Sequence, residues 1–204
     1  MGETVSRSAN VAGIIVRPVR FEERARWRQL MNAHHYLGFR PIVGQSLWYV
    51  ATCEEQWVAL LGWGAAALKC GPRDAWIGWT PALKFHRLHL IANNARFLIL
   101  PEWHRPNLAS RVLALNLQRL SQDWDRYYGH PLLLVETFVD ASRFRGTCYL
   151  AAGWKTAAAF ASRPELRSWP RCATWPSAGC GWPPPSTSPP RFAFARTINS
   201  ELCV

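Results

Sequence analysis

The chain has 204 residues, of which 49% are hydrophobic and 18% charged, enough apolar material for the core of one medium-sized domain. Its formal net charge of +11 favours an anionic partner such as nucleic acid, and the alternative is a basic surface with no such partner. The sequence has no run of about 18 apolar residues, which excludes a membrane span.

Cysteine and histidine spacing argues against a metal site. The six cysteines contain no C-x-x-C pair, so neither a zinc site nor a redox dithiol is expected, and a reducing cytoplasm fits them best. His86 and His89 would share one helix face, but they lack a third ligand nearby.

Hydrophobic periodicity predicts alternating strands and helices. In the first half the predicted elements are a strand at Gly13–Arg20, a helix at Phe21–Ala33, a hairpin of Leu47–Cys53 and Trp57–Trp63, and a helix within Pro81–Ile91. The segment around Cys70, Arg73 and Asp74 is interpreted as a polar turn. An ion pair that anchors this loop is favoured slightly over a phosphate contact.

The second half continues this alternation. The predicted elements are a strand at Arg96–Leu100, a helix at Asn107–Trp124, a strand at Leu132–Phe138, a helix at Ala141–Ala152 and a last strand from Trp154. The order predicts an α+β (α/β) domain in which helices flank a mixed β-sheet.

Composition changes near residue 155, which predicts a folded domain over residues 1–155 and a separate tail over residues 156–204. The tail holds 8 of the 15 prolines together with three tryptophans and three cysteines, and it has no sustained period. Pro-rich and Ser-rich sequence favours disorder. Because tryptophan and cysteine are unusual in a linker, an out-of-frame translation is the alternative hypothesis.

The strand, polar turn and helix around residue 104 resemble the GCN5-related N-acetyltransferase (GNAT) fold. In that family a turn R/Q-x-x-G-x-G/A after the fourth strand holds the pyrophosphate of an acyl-coenzyme A on its backbone amides. The pattern maps as His104-x-x-Asn107-x-Ala109, with His for the basic or amide residue and Asn for the first glycine. The resemblance implies cofactor contacts at five positions, namely His104, Asn107, Leu108, Ala109 and Ser110.

Two residues are candidates for catalysis. The segment FRGTCYLAAGW is similar to a late F-Y-x-x-x-G-F element of GNAT enzymes, and the resemblance implies that Tyr149 is a general acid. Packing against Trp154 is the alternative. Glu136 lies near the end of a strand that is expected to be buried, where a carboxylate can act as a desolvated base. The alternative, which is favoured, is a structural ion pair with Arg143 or Arg145.

Four longer segments over about residues 34–155 resemble the DruA family of the Druantia anti-phage system, which also occurs near mobile elements. They are HHYLGFRPIVGQSLWYV, LLGWGAAALKCGPRDAWIGW, NNARFLILPEWHRPNLAS and LVETFVDASRFRGTCYLAAGW. This resemblance implies a role in defence, alongside other defence proteins, but no settled chemistry. The predicted function is a basic GNAT-like domain that acts on or binds nucleic acid. The alternative is an acyl-CoA-dependent N-acyltransferase acting on nucleic acid or another amine.

Overall fold

The computed structural model describes residues 13–140, 142–156 and 191–197, and it describes side chains as far as Trp154. The strands are β1 (Ile15–Pro18), β2 (Ser46–Cys53), β3 (Gln56–Ala65), β4 (Ile91–Ile99), β5 (Leu134–Asp140), β6 (Lys155–Thr156) and β7 (Arg191–Thr197). The α-helices are α1 (Arg24–His34), α2 (Gly71–Ile77), α3 (Pro81–Arg87), α4 (Leu108–Tyr128) and α5 (Thr147–Ala151).

The described strands form one mixed sheet in the order β1-β2-β3-β4-β5-β7-β6. Strands β4 and β5 are its parallel pair, and the other neighbouring strands run antiparallel. Helix α4 joins the two parallel strands, because a parallel pair requires a crossover connection. The predicted fold class, a mixed sheet flanked by helices, is confirmed.

Helices cover both faces of this sheet. Helix α1 packs Trp27 and Met31 against Val50 and Leu60 on one face. On the other face, α4 and α5 pack into a larger cluster that includes Tyr49, Trp63 and Val135 from the strands. Because side chains alternate along a strand, successive side chains of β4 and β5 point to opposite faces of the sheet and towards different helices.

The hairpin between β2 and β3 turns through Glu54 and Glu55, both in the left-handed region with φ values of 48° and 65°. Two residues with positive φ match the right-handed twist of the paired strands. The structure therefore places the turn where the sequence predicted it.

Two helices differ from their predictions. The polar turn around Arg73 is helix α2, which has Pro72 in its first turn and ends at Gly78 in the left-handed conformation. The helix predicted from residue 141 begins only at Thr147. The backbone N–H groups of Arg143 and Phe144 both donate to Asp140 O, and Gly146 has a φ of 67°. A tight turn followed by a left-handed residue cannot continue a helix.

The predicted tail falls mostly on residues 157–190 and 198–204, which lie outside the described residues. Residues 191–197, in contrast, form β7, which lies between β5 and β6 in the sheet. The prediction that everything after residue 155 is separate from the domain is therefore wrong for this strand. In the part of the chain that the structure describes, no helix has the length and apolar character needed to cross a membrane.

Candidate functional site

The parallel strands β4 and β5 separate to form a cleft. They pair only from Ile91 to Asn93 on β4, opposite Leu134 to Glu136 on β5, although β4 continues to Ile99 and β5 to Asp140. The register of β4 against β3 shifts beside this point, which leaves Ala95 as an extra residue. Such a bulge bends its strand. The result is a cavity of about 740 Å³ between the two strands.

Four parts of the chain line this cavity. The open halves of β4 and β5 form its sides. One side is formed by the end of α1 and by His35–Leu37, which follow it. Residues 144–149, from the β5–α5 loop and α5, also line this side. The remaining wall lies at the start of α4 and includes Pro101, His104 and Ala109.

The start of α4 presents an uncapped first turn. Asn107, the residue before the helix, has φ 62° and ψ −3°, the left-handed conformation that glycine adopts most readily, and its side chain makes no capping hydrogen bond. Helix amides of the first turn lack partners within the helix, and the helix dipole favours an anion beside them. Asn107 therefore has a left-handed backbone at the position where the GNAT pattern has its first glycine.

The structure brings only part of the predicted phosphate-binding set to the cavity. His104 is exposed and lines it together with Ala109. The Ser110 hydroxyl donates to Asn107 O at 3.0 Å. The side chain of Leu108 is 2% exposed and belongs to the core, so its backbone is the part that lies at the turn. Its N–H donates to Arg105 O at 3.3 Å.

Tyr149 lies in α5 on the wall of the cavity. Its hydroxyl donates to Asn94 Oδ1 at 2.8 Å, and its ring packs edge-on against Trp154 with centroids 5.0 Å apart. Burial raises the pKa of this phenol above its ordinary value, so it stays protonated at neutral pH. Both interpretations made from the sequence are therefore compatible with its position.

Glu136 does not line the cavity. It points towards α2, where the Arg73 Nη1 donates to its two carboxylate oxygens at 3.0 and 2.9 Å and the Ala67 N–H donates at 2.8 Å. Burial raises the pKa of the Glu136 carboxyl, and the Arg73 guanidinium opposes that rise. Its partner is thus Arg73 rather than Arg143 or Arg145, and the geometry favours a structural role over that of a base.

Two polar groups on the cavity wall have no hydrogen-bond partner among the described residues. They are Asn93 Oδ1 and Arg96 Nε, both buried atoms. The Arg96 Nη1 donates to Ala95 O at 2.6 Å, so the guanidinium is fixed while Nε stays unpaired. Buried polar groups are rarely left without partners. These two atoms leave hydrogen-bonding capacity for a water or a bound molecule at this wall.

Sequence interpretation missed Asn94 and Arg96, which position the site. Asn94 interrupts the alternation of a strand that is otherwise apolar at that face. It accepts from Tyr149 and donates to Arg96 O at 3.2 Å. The pair Asn93-Asn94 before an apolar run was the signal available. The predicted strand begins only at Arg96, which places both asparagines before it.

His35 caps the end of α1 and faces the cavity. Its N–H donates to Met31 O at 3.0 Å, and its Nδ1 accepts from the Leu37 N–H at 3.2 Å. Burial, with a further contribution from the nearby Arg96 guanidinium, lowers the pKa of His35 to about 4. The imidazole is therefore neutral at pH 7 and acts as an acceptor at the helix end.

This lowered pKa predicts acid sensitivity. The unfolded chain binds a proton at His35 below about pH 6.5, whereas the folded protein does not until about pH 4. The free energy of unfolding should therefore fall as pH decreases through this window, by at most about 3 kcal/mol after solvent screening. Denaturant titrations at pH 7 and pH 5 measure it. The His35→Asn variant keeps a hydrogen-bond acceptor but has no imidazole to protonate, so its free energy of unfolding should depend less on pH. The same pH dependence in the variant and the unmodified protein would contradict the role of His35.

Comparison with known proteins agrees with this geometry. The family model described as Druantia protein DruA matches residues 9–169. A GNAT-family acetyltransferase from Streptococcus pneumoniae is 10% identical and superposes with a TM-score of 0.50, covering 91% of this chain and 99% of the other. The ribosomal-protein-S18-alanine N-acetyltransferase from Escherichia coli is 11% identical with a TM-score of 0.49, covering 93% and 98% respectively. No curated protein matches the chain. At these identities the first structural likeness establishes the fold alone.

Proposed function

The chain belongs to the family of the Druantia protein DruA and has a GNAT fold, and from this premise we propose that it is an acyl-CoA-dependent N-acyltransferase of a cytoplasmic anti-phage defence system. The observation that supports this most strongly is the cleft between β4 and β5, bounded by the uncapped start of α4 and by Tyr149. The other proteins of the defence system are its proposed partners.

The residues at the start of α4 suit the diphosphate of coenzyme A. The Asn107 side chain makes no capping hydrogen bond, and its backbone is in the left-handed conformation. A helix start of this kind suits an anion. The amides of Ala109 and Ser110 would hold the diphosphate, and the open strands β4 and β5 would flank the pantetheine arm. When bound, this group supplies an activated acyl thioester.

Tyr149 holds a proton beside the same cleft. Its hydroxyl donates to Asn94 and stays protonated at neutral pH, although burial also makes it a weaker acid than an exposed phenol. Asn94 is itself fixed by donating to Arg96 O and to Gly62 O. The Tyr149 hydroxyl is therefore held in a defined orientation on the wall of the cleft.

A charge placed at the start of α4 tests cofactor binding without loss of the helix. Ala109→Glu adds a carboxylate to the first turn, where the helix dipole favours it, but it should repel the diphosphate. Calorimetric titration with acetyl-CoA should show about 10-fold or greater weakening, equivalent to about 1.4 kcal/mol. Gln118→Glu, an exposed position further along α4, adds the same charge and should bind as the unmodified protein does. Equal affinity of all three proteins would reject the site.

A second candidate function is nucleic-acid binding by a surface here named the α1 face, which is defined by the exposed Arg24 and Arg28 and the half-buried Phe39 and Trp48. The Arg28 guanidinium lies 5.2 Å from the Trp48 ring and 5.5 Å from the Phe39 ring, and that of Arg24 lies 5.9 Å from Trp48. Both arginines are exposed. Stacked guanidinium groups on a chain with a net charge of +11 support contacts to phosphates and bases.

Salt dependence and charge removal test this second function. Affinity for a fluorescein-labelled oligonucleotide should fall steeply with salt, since each neutralised phosphate releases counterions. The double substitution Arg24→Gln, Arg28→Gln should lower the slope of log affinity against log salt by about 1.4 to 1.8 on the same principle. Arg126→Gln, an exposed arginine of α4, serves as the control with little effect. Binding that does not respond to salt would contradict phosphate recognition.

A further inference from the structure

An aromatic pair spans the mouth of the cleft. Tyr36 follows α1 and Phe144 lies between β5 and α5, yet their ring centroids are 5.3 Å apart with an interplanar angle of 56°. Tyr36 is 42% exposed and Phe144 is 50% exposed, and both line the cavity. Two large rings from separate loops thus contact each other, while about half of each stays open to solvent. An exposed aromatic surface of this kind is a candidate for stacking.

The same mouth carries positive charge. The Arg143 guanidinium lies 5.4 Å from the centre of the Tyr36 ring, and its side chain is 60% exposed. Arg145 is exposed and lines the cavity. We name Tyr36, Phe144, Arg143 and Arg145 the mouth platform.

The carboxylate at the mouth is already bonded to neighbouring groups of the protein. Among the described residues that line the cavity, Asp140 is the sole carboxylate. Its Oδ1 accepts from the N–H of Ser142 at 3.1 Å and from the Ser142 hydroxyl at 2.7 Å, and its Oδ2 lies 3.6 Å from the Arg143 Nε. A polycationic amine would therefore meet guanidinium groups and no free carboxylate among these residues. The charge favours an anionic partner instead.

From this combination we propose that the mouth platform binds single-stranded nucleic acid. One base stacks on Tyr36 and Phe144, and the neighbouring phosphates pair with Arg143 and Arg145. A single strand fits because its bases are free to leave the backbone and stack on side chains, whereas the bases of a duplex are already stacked. Arginine also suits phosphate because its donors form a planar fork. The inference rests on nucleic acid as the proposed partner and identifies where and in what form it enters the cleft.

Fluorescence anisotropy with a short labelled single-stranded oligonucleotide and the same sequence as a duplex tests the proposal. The full chain should bind the single strand at least about 10-fold more tightly than the duplex, because base stacking contributes only to the former. Tyr36→Ala and Phe144→Ala should each weaken single-strand binding about 10-fold and leave duplex binding unchanged. Tyr127→Ala, which removes an exposed tyrosine of α4, is the matched control and should bind normally.

Each alternative outcome separates this inference from the proposed functions. Equal binding of single strand and duplex, with no effect of Tyr36→Ala, overturns the platform while leaving phosphate-based nucleic-acid binding in place. Displacement of the oligonucleotide by polyglutamate at equal charge concentration overturns it in favour of an acidic protein partner. Tighter binding of spermidine than of the oligonucleotide also overturns it. Loss of acetyl-CoA binding in Ala109→Glu, measured separately, concerns the cofactor site and does not depend on the platform.

Discussion

Tyr149→Phe is expected to lower acyl transfer about 100-fold while the protein remains folded. The substitution removes one hydroxyl that is fixed by Asn94 on the wall of the cleft, and the ring keeps its contact with Trp154. The cost in stability should be about 1 kcal/mol, because one buried hydrogen bond is lost and Asn94 Oδ1 loses a donor. Thiol release from acetyl-CoA in the presence of a mixed-sequence single-stranded oligonucleotide measures the rate.

Tyr149→Ala separates the contribution of the ring from that of the hydroxyl. Tyr149 is 8% exposed, so removing the ring should lower the free energy of unfolding by roughly 3 kcal/mol through the cavity it leaves. If the domain is only a binding module, Tyr149→Phe should leave oligonucleotide affinity and phage protection unchanged. Equal thiol release by the unmodified protein and by Tyr149→Phe would contradict the role of the hydroxyl.

Arg73→Met is expected to lower the free energy of unfolding by about 3–5 kcal/mol. The carboxylate of Glu136 is 1% exposed and would keep only the Ala67 N–H as a donor. Removing one partner of a buried ion pair leaves an uncompensated charge, which costs more than the pair itself contributes. Urea denaturation at pH 8 measures the loss.

The pH dependence of Arg73→Met identifies the unpaired carboxylate as the cause. Without Arg73 the folded-state pKa of Glu136 should rise further above its unfolded value, so the loss should be smaller at pH 5, where protonation removes the charge. The double substitution Arg73→Met, Glu136→Gln should recover most of the stability. A loss below about 1 kcal/mol for Arg73→Met alone would contradict the buried ion pair, because exposed pairs contribute no more than this.

Local sequence patterns were sufficient for the parts of the fold that depend on near neighbours. The long helix α4 was predicted because Leu108, Val112 and Leu120 repeat at helical spacing, and the structure extends it by one turn to Tyr128. The strands on either side were predicted from their apolar runs. At the site, the turn at Asn107 and the position of Tyr149 followed from resemblance to a fold with a known order of elements.

Contacts between distant residues could not be predicted in the same way. The predicted partners of Glu136, Arg143 and Arg145, are near it in sequence, but its partner Arg73 lies 63 residues away. The contact between the Tyr36 and Phe144 rings likewise joins two loops that are far apart in the chain, which no local pattern encodes. Helix α2 was missed because its seven residues are too few for periodicity, although Pro72 and Gly78 marked its ends.

A crystal structure of the protein with coenzyme A tests the central claim, that the cleft between β4 and β5 is an acyl-CoA site, most directly. We expect the diphosphate within hydrogen-bond distance of the Ala109 and Ser110 N–H groups, and the thiol between the strands near the Tyr149 hydroxyl. Coenzyme A bound elsewhere, or a cleft that excludes it while a protein side chain caps the start of α4, would contradict the claim.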